Sequence, residues 1–246
     1  MRKVQIRLHG ELEDLALGRH RGRVIEQPLA DGATIKHAIE ALDVPHTEIG
    51  EVRLDGEPAT LATVLAEGGR VDAYPAPPAP PAAIGEARFL ADAHLGALAR
   101  LLRLLGFDTL LAGDGPDSAL AALAQSEGRI LLSRDRELLK HRRVARGRLV
   151  RALAADAQLV EVARRFGLTD AIRPFSRCLE CNAPLRAADR AEVDARIPPH
   201  VAASQSDYAT CTGCARVYWR GSHWRRLQAR VQALRAAIDA RSDFVL

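Results

Sequence analysis

Two Cys-x-x-Cys pairs, Cys178-Leu-Glu-Cys181 and Cys211-Thr-Gly-Cys214, account for every cysteine in the chain. Two residues between thiolates let a tight turn aim both sulfurs at one point. Two such turns offer the tetrahedral sulfur set that Zn²⁺ takes. Two redox dithiols or four ordinary buried thiols are the alternatives. Using every cysteine in this spacing instead predicts a small metal-stapled module toward the C-terminal end. Four sulfurs fill the coordination sphere, so the predicted zinc is structural and leaves no position for water or substrate. His200 and His223 are spare ligands that such a site does not need.

At 246 residues the chain is one large domain or two to three small ones, and 48% hydrophobic residues supply ample core. The start alternates charged and apolar residues without an apolar signal region, and the apolar stretch Leu95 to Leu105 is short and broken by Arg100 and Arg103. These features predict a soluble, cytoplasmic protein with no membrane partner, where reduced thiols favour zinc over disulfides. Charge is divided unevenly. Residues 1–80 hold 9 Lys/Arg against 13 Asp/Glu, whereas residues 81–246 hold 26 against 18. An arginine-rich body suits phosphate ligands, and it equally suits an ordinary solvated surface.

The stretch Pro75-Ala-Pro-Pro-Ala-Pro-Pro81 reads as a semi-rigid spacer between an acidic head and a basic body. In the head, Val4, Ile6 and Leu8 alternate as a strand, with Arg23 to Leu29 as its hairpin partner. Ile35, Ala38, Ile39 and Leu42 follow helical spacing, and Val52–Leu54 and Arg70–Tyr74 supply further strands. This ββαββ order resembles a β-grasp, or ubiquitin-like, domain and is similar to the small sulfur carriers. Those carriers end in a free Gly-Gly. Here Gly68-Gly69 precedes the last strand and the chain continues, so the head is predicted to bind or dock a protein partner.

The body alternates strands and helices. Arg88–Ala91, Asp108–Ala112, Arg129–Ser133 and Arg148–Leu153 read as strands, with helices over Leu95–Leu105, Ser118–Glu127, a short stretch after Asp135, and Asp156–Phe166. That order calls for an α/β fold with a parallel sheet. In such sheets ligands gather beyond the C-terminal ends of the strands. Asp92 follows the first of these strands, and Asp135 follows the third. Asp117 is placed to cap the second helix, with Asp114 just ahead of it. Carboxylates gathered in this way repel one another unless a cation neutralises them, and Mg²⁺ or Mn²⁺ is the usual answer. After Pro174 come the cysteine module and an amphipathic helix bearing Trp224, Leu227, Val231, Leu234 and Ile238 on its apolar face.

The runs Arg88-Phe-Leu-Ala-Asp92, Leu95 to Thr109 and Ile130-Leu-Leu-Ser-Arg-Asp-Arg-Glu-Leu138 resemble the Mut-seven C-terminal RNase domain family, whose cores are PIN-like nucleases. The tail matches too, in Ser176 to Asn182 and Cys211 to Trp224. Members commonly carry this zinc ribbon after the nuclease core, and some carry a β-grasp head before it. The resemblance implies a Mg/Mn-dependent ribonuclease with Asp92, Asp117 and Asp135 as its acidic cluster and Asp114 as the fallback. Leu101, His94 and Ser133 depart from the family pattern without removing a carboxylate. Asp108 and Asp156 are candidates for a fourth acid.

Arg100 and Arg103 share a face of the helix after Asp92, and Arg134 and Arg136 flank Asp135. All four are candidate contacts to RNA phosphates, with intramolecular pairing as the alternative. The expected organisation is a ubiquitin-like head over 1–75, a Pro/Ala linker over 76–84, a nuclease core over 85–173, and a zinc ribbon plus helix over 174–246. Two other functions fit the same chain: an RNA-binding or regulatory protein without turnover, and an adaptor whose head docks a partner.

Overall fold

The computed structural model describes residues 2–16, 22–113 and 115–240. Its head contains β1 (Lys3–Leu8), β2 (Val24–Pro28), α1 (Ile35–Glu40), β3 (Ile49–Leu54), β4 (Glu57–Ala59) and β5 (Arg70–Pro75). There follow β6 (Arg88–Ala91), α2 (Gly96–Leu104), β7 (Asp108–Leu111), α3 (Asp117–Glu127), β8 (Ile130–Ser133), α4 (Arg136–Lys140), β9 (Gly147–Leu149) and α5 (Ala155–Arg165). The cysteine region carries β10 (Leu185–Ala188), α6 (Arg190–Val193), α7 (Pro199–Ser204), β11 (Tyr208–Cys211), β12 (Val217–Trp219) and α8 (Ser222–Asp239).

Two compact units emerge, Met1–Pro77 with Asp114–Leu149, and Pro78–Gly113 with Val150–Leu246. The fold is mixed α/β. The strands of its parallel-sheet core come as two pairs, β8–β9 in the first unit and β6–β7 in the second.

In the first unit the head forms a five-stranded sheet of order β2-β1-β5-β3-β4. β1 lies antiparallel to β2 and parallel to β5, the pairing of a ubiquitin-like fold. The alternation read in β1 is the reason: Val4, Ile6 and Leu8 are buried with Ile35 and Ile39 of α1, whose N-terminus Thr34 caps. The segment around Leu61 and Val64 is a turn with an isolated bridge, Thr34 to Val64. Gly68, at φ +78, turns the chain into β5, so the Gly-Gly pair is an internal turn.

The head packs directly on residues 136–149. Asp43, left-handed at φ +67, receives Arg136 on both its carbonyl (2.9 Å) and Oδ2 (2.7 Å), and Lys140 on Oδ1 (2.6 Å). Glu48 is 2% exposed and accepts Arg148 Nη1 at 2.6 Å and the Leu149 N–H at 2.7 Å. His46 bridges Glu40 and the Val144 carbonyl. A side chain at Gly147 would meet Leu139 at 2.8 Å and the Leu131 carbonyl and Thr47 at 3.2 Å, so glycine lets β9 pack closely there. The acidity of the head is thus partly spent on basic residues of the same unit.

In the second unit α2 packs against β6, β7 and α5, and Phe89 meets Phe107 and Phe166 edge-on. Gly106, at φ +96, ends α2 where an added Cβ would meet the Arg173 carbonyl at 2.2 Å. The Pro/Ala stretch is docked: Ala79 N–H bonds Arg165 O, and Ala82 N–H bonds Gly167 O. A free spacer would show neither bond. The segment between the cysteine pairs forms β10 and β11 around the short helices α6 and α7, with Val193, Ile197, Val201 and Tyr208 as its core. α8 buries Val231, Leu234 and Ile238, and Arg164 donates to the carbonyls of Ala237, Ile238 and Ala240 at its end.

Candidate functional site

Both cysteine knuckles fold as the same turn. In the first, Asn182 N–H returns to Cys178 O at 3.0 Å; in the second, Ala215 N–H returns to Cys211 O at 3.2 Å. The residue closing each turn is left-handed, Asn182 at φ +71 and Ala215 at φ +56. The identical backbone brings all four sulfurs within 4.8 Å of one another. Cys178–Cys214 and Cys181–Cys211 are 3.7 and 3.3 Å apart, far longer than a disulfide and near the roughly 3.8 Å edge of a tetrahedron with ~2.3 Å Zn–S bonds. Among the described residues this is the one group of three or more potential ligands that converges.

The electrostatics of the sulfurs fit a cation. Burial opposes ionisation of Cys178, yet N–H groups of Cys181 and Glu180 and the Tyr218 hydroxyl bring its pKa down to about 6. Cys181 moves the other way. The Ala183 N–H favours its thiolate, but burial and the neighbouring sulfurs push it up to about 12. Four crowded sulfurs cannot all ionise without a positive charge among them, so the set could hold zinc. Burial and the bond to Cys178 raise the Tyr218 pKa, so its hydroxyl stays protonated and donates to Cys178 Sγ at 3.1 Å.

The first knuckle is tied to the α/β core. Arg103, 6% exposed, donates to the carbonyls of Thr109 (2.9 Å), Leu179 (3.0 Å) and Glu180 (2.8 Å). Asn182 Oδ1 accepts the Thr109 N–H at 2.9 Å, satisfying a donor on β7, and its Nδ2 donates to Asp108 at 2.8 Å. Arg103 carried a signal, since it interrupts a run of leucines that are all buried. The role of Asn182 had only its position after Cys181 to announce it.

Asp92 is half-buried directly after β6 and opens the 3-10 turn Ala93–Leu95, its carbonyl accepting the Leu95 N–H. Asp135 follows β8 and caps α4, its Oδ1 accepting the N–H groups of Glu137 (2.8 Å) and Leu138 (3.4 Å). Ser133, fully buried, fixes that turn by accepting the Asp135 N–H. Asp117 is exposed and is the first residue of α3; the cap position belongs to Pro116, which corrects the expected cap. Asp114 lies outside the described residues. Asp108 is held by Asn182 and Arg177, and Asp156 pairs with Arg230.

Of the arginines, Arg134 is exposed. Arg100 pairs with Glu180 at 2.7 Å at the surface, whereas Arg103 and Arg136 direct their guanidiniums to internal acceptors. For Arg103 and Arg136 the structure therefore supplies the intramolecular pairing that the sequence left as the alternative. Among the described residues no helix is long and apolar enough to cross a membrane.

A ubiquitin-like head, parallel strand pairs with an aspartate after β6 and another after β8, and a four-cysteine centre define a mixed α/β protein with a candidate metal centre. The Mut7-C RNAse domain model matches residues 87–231, more than half of the chain, and the chain belongs to that family. A Mut7-C ubiquitin model matches residues 1–79. No curated protein matches. Two crystal structures of small archaeal modifier protein 1 from Haloferax volcanii match at 20% identity and a TM-score of 0.25, covering 30% of this chain and 98% and 93% of theirs. A likeness at that score supports no further argument.

Proposed function

We propose that the chain is a metal-dependent ribonuclease whose phosphodiester chemistry is carried by Asp92, Asp117 and Asp135. The carrying observation is the family match over residues 87–231, joined to the position of Asp92 and Asp135 just beyond the C-terminal ends of parallel strands. Mg²⁺ or Mn²⁺ held by these carboxylates would supply a water of lowered pKa and neutralise charge on the phosphate oxygens. Asp135 suits a fixed ligand because two backbone N–H groups and the Ser133 turn hold its carboxylate in place. One of these carboxylates can also take the proton of the attacking water. Arg134 and Arg100 are the arginines proposed to meet substrate phosphates.

We further propose zinc as the structural ion of the four cysteines and the cytoplasm as the compartment that keeps them reduced. The functional division runs 1–75 for the head, 76–84 for the linker, 85–173 for the nuclease core and 174–246 for the ribbon and helix. A protein partner of the head would meet a face other than the one carrying Asp43, His46 and Glu48, which residues 136–149 already occupy.

Labelled single-stranded and structured RNAs incubated with the pure protein test the reading. Cleavage should require added Mn²⁺ or Mg²⁺, and Asp92→Asn and Asp135→Asn should each lower kcat about 100-fold or more. Asparagine caps a helix as well as aspartate does, so Asp135→Asn removes the charge and spares the fold. Metal-independent cutting, or cutting that survives both substitutions, would sink it. RNA binding without any turnover would favour the regulatory alternative.

A further inference from the structure

The three-stranded ribbon sheet, the segment before the first knuckle and the first turns of α8 enclose a groove of about 990 Å³. Phe175, Tyr218, Trp219 and Trp224 contribute rings to its wall, all half-buried. Five arginines line it against two acids, Glu180 and Asp207. Three of the five are engaged: Arg100 with Glu180, Arg177 with Asp108 and the Asn182 carbonyl, and Arg186 with Glu192. Arg216 is exposed and has no acidic partner among the described residues. Arg220 meets Asp207 at 3.4 Å, but both side chains are about two-thirds exposed, so that pair contributes little. The Arg220 guanidinium also lies 5.5 Å from the Trp224 ring centroid, and Trp224 tilts against Phe175 at 5.5 Å.

A ligand for this wall needs negative charge at the two arginines and a flat apolar face for the rings. Unpaired nucleotides have both. A duplex hides its base faces in its own stack, and an acidic peptide would leave the rings unused. We propose that the groove binds a short single-stranded RNA segment, with Arg216 and Arg220 on its phosphates and an unpaired base against the Trp224–Phe175 surface. The choice of RNA rests on the ribonuclease reading. The groove would then hold substrate through the ribbon and make its three strands and two knuckles part of recognition.

Trp219 and Trp224 are the chain's two tryptophans, so intrinsic emission reports this groove directly. The zinc-loaded full chain, without added Mg²⁺ or Mn²⁺, is titrated with a labelled single strand of about 12 nucleotides while anisotropy and tryptophan emission are followed. Binding should quench the emission. Arg216→Ala with Arg220→Ala, both exposed and harmless to the core, should weaken binding roughly tenfold or more and flatten the salt slope by about 1.4. Trp224→Leu should weaken it similarly at unchanged zinc content. Unchanged affinity in the arginine double variant, or tighter binding of a duplex or of polyglutamate, would overturn the proposal. Failures remain separable: a strand bound as expected but never cut with Mn²⁺ refutes the ribonuclease reading alone. RNA cut with unaltered KM by the arginine variant refutes the groove alone.

Discussion

Glu48 shows how much one side chain can settle. Its carboxylate is almost fully withdrawn from water and is satisfied by Arg148 and by the Leu149 N–H, so neither charge is left uncompensated. Removing one partner of such a pair costs about 3–5 kcal/mol, chiefly because the other charge stays buried. Arg148 keeps Glu11 at 3.4 Å, so Glu48→Ala should lower the stability of the chain by up to about that much in a urea titration. Replacing both partners by apolar residues, Glu48→Met with Arg148→Leu, should recover most of it. An unchanged midpoint in Glu48→Ala would mean that the pair is not formed. The sequence announced excess acid in the head and excess arginine beyond it. It did not announce the pairing, because Glu48 and Arg148 stand 100 positions apart and no local pattern links them.

At the scale of elements, the Cys-x-x-Cys spacing made both knuckles legible, since only a tight turn can serve two sulfurs two residues apart. The attachment of the first knuckle to β7 through Asn182 and Arg103 was not legible, because it depends on where a folded edge strand presents its N–H groups. The strand–helix alternation from β6 to α5 was readable for the usual reason, that period-two and period-3.6 patterns differ. Tyr218 adds a second-layer bond to Cys178, and loss of such bonds typically costs 10–100-fold in metal affinity. Tyr218→Phe should lower zinc affinity by about that factor in a chelator competition. Equal affinity would show that the hydroxyl does not bear on the metal. Stripping zinc from the wild type should unfold β10, β11 and β12 while far-UV signal from the head persists; a ribbon that stays folded without metal would contradict the structural role.

For the whole molecule, the division into compact units places the head with α3, β8, α4 and β9. A chain beginning at residue 81 would leave Arg136, Lys140 and Arg148 without Asp43 and Glu48, and would expose the apolar surface beneath them. Such a truncation should aggregate or melt well below the full chain. A truncated protein with an unchanged Tm would show the head to be an independent appendage. The proline stretch suggested that independence from composition alone, yet its latter half is hydrogen-bonded to the end of α5 and to Gly167. Composition identifies residues that favour an extended chain and says nothing about what that chain lies against.

The proposed nuclease chemistry requires Asp92, Asp117 and Asp135 to act on one divalent ion. Anomalous diffraction from crystals of the full chain soaked in Mn²⁺ tests it most directly. A manganese peak ligated by the carboxylates of all three aspartates is expected, with zinc alone among Cys178, Cys181, Cys211 and Cys214. Manganese absent from the aspartates, or bound elsewhere with those three carboxylates apart, would contradict it.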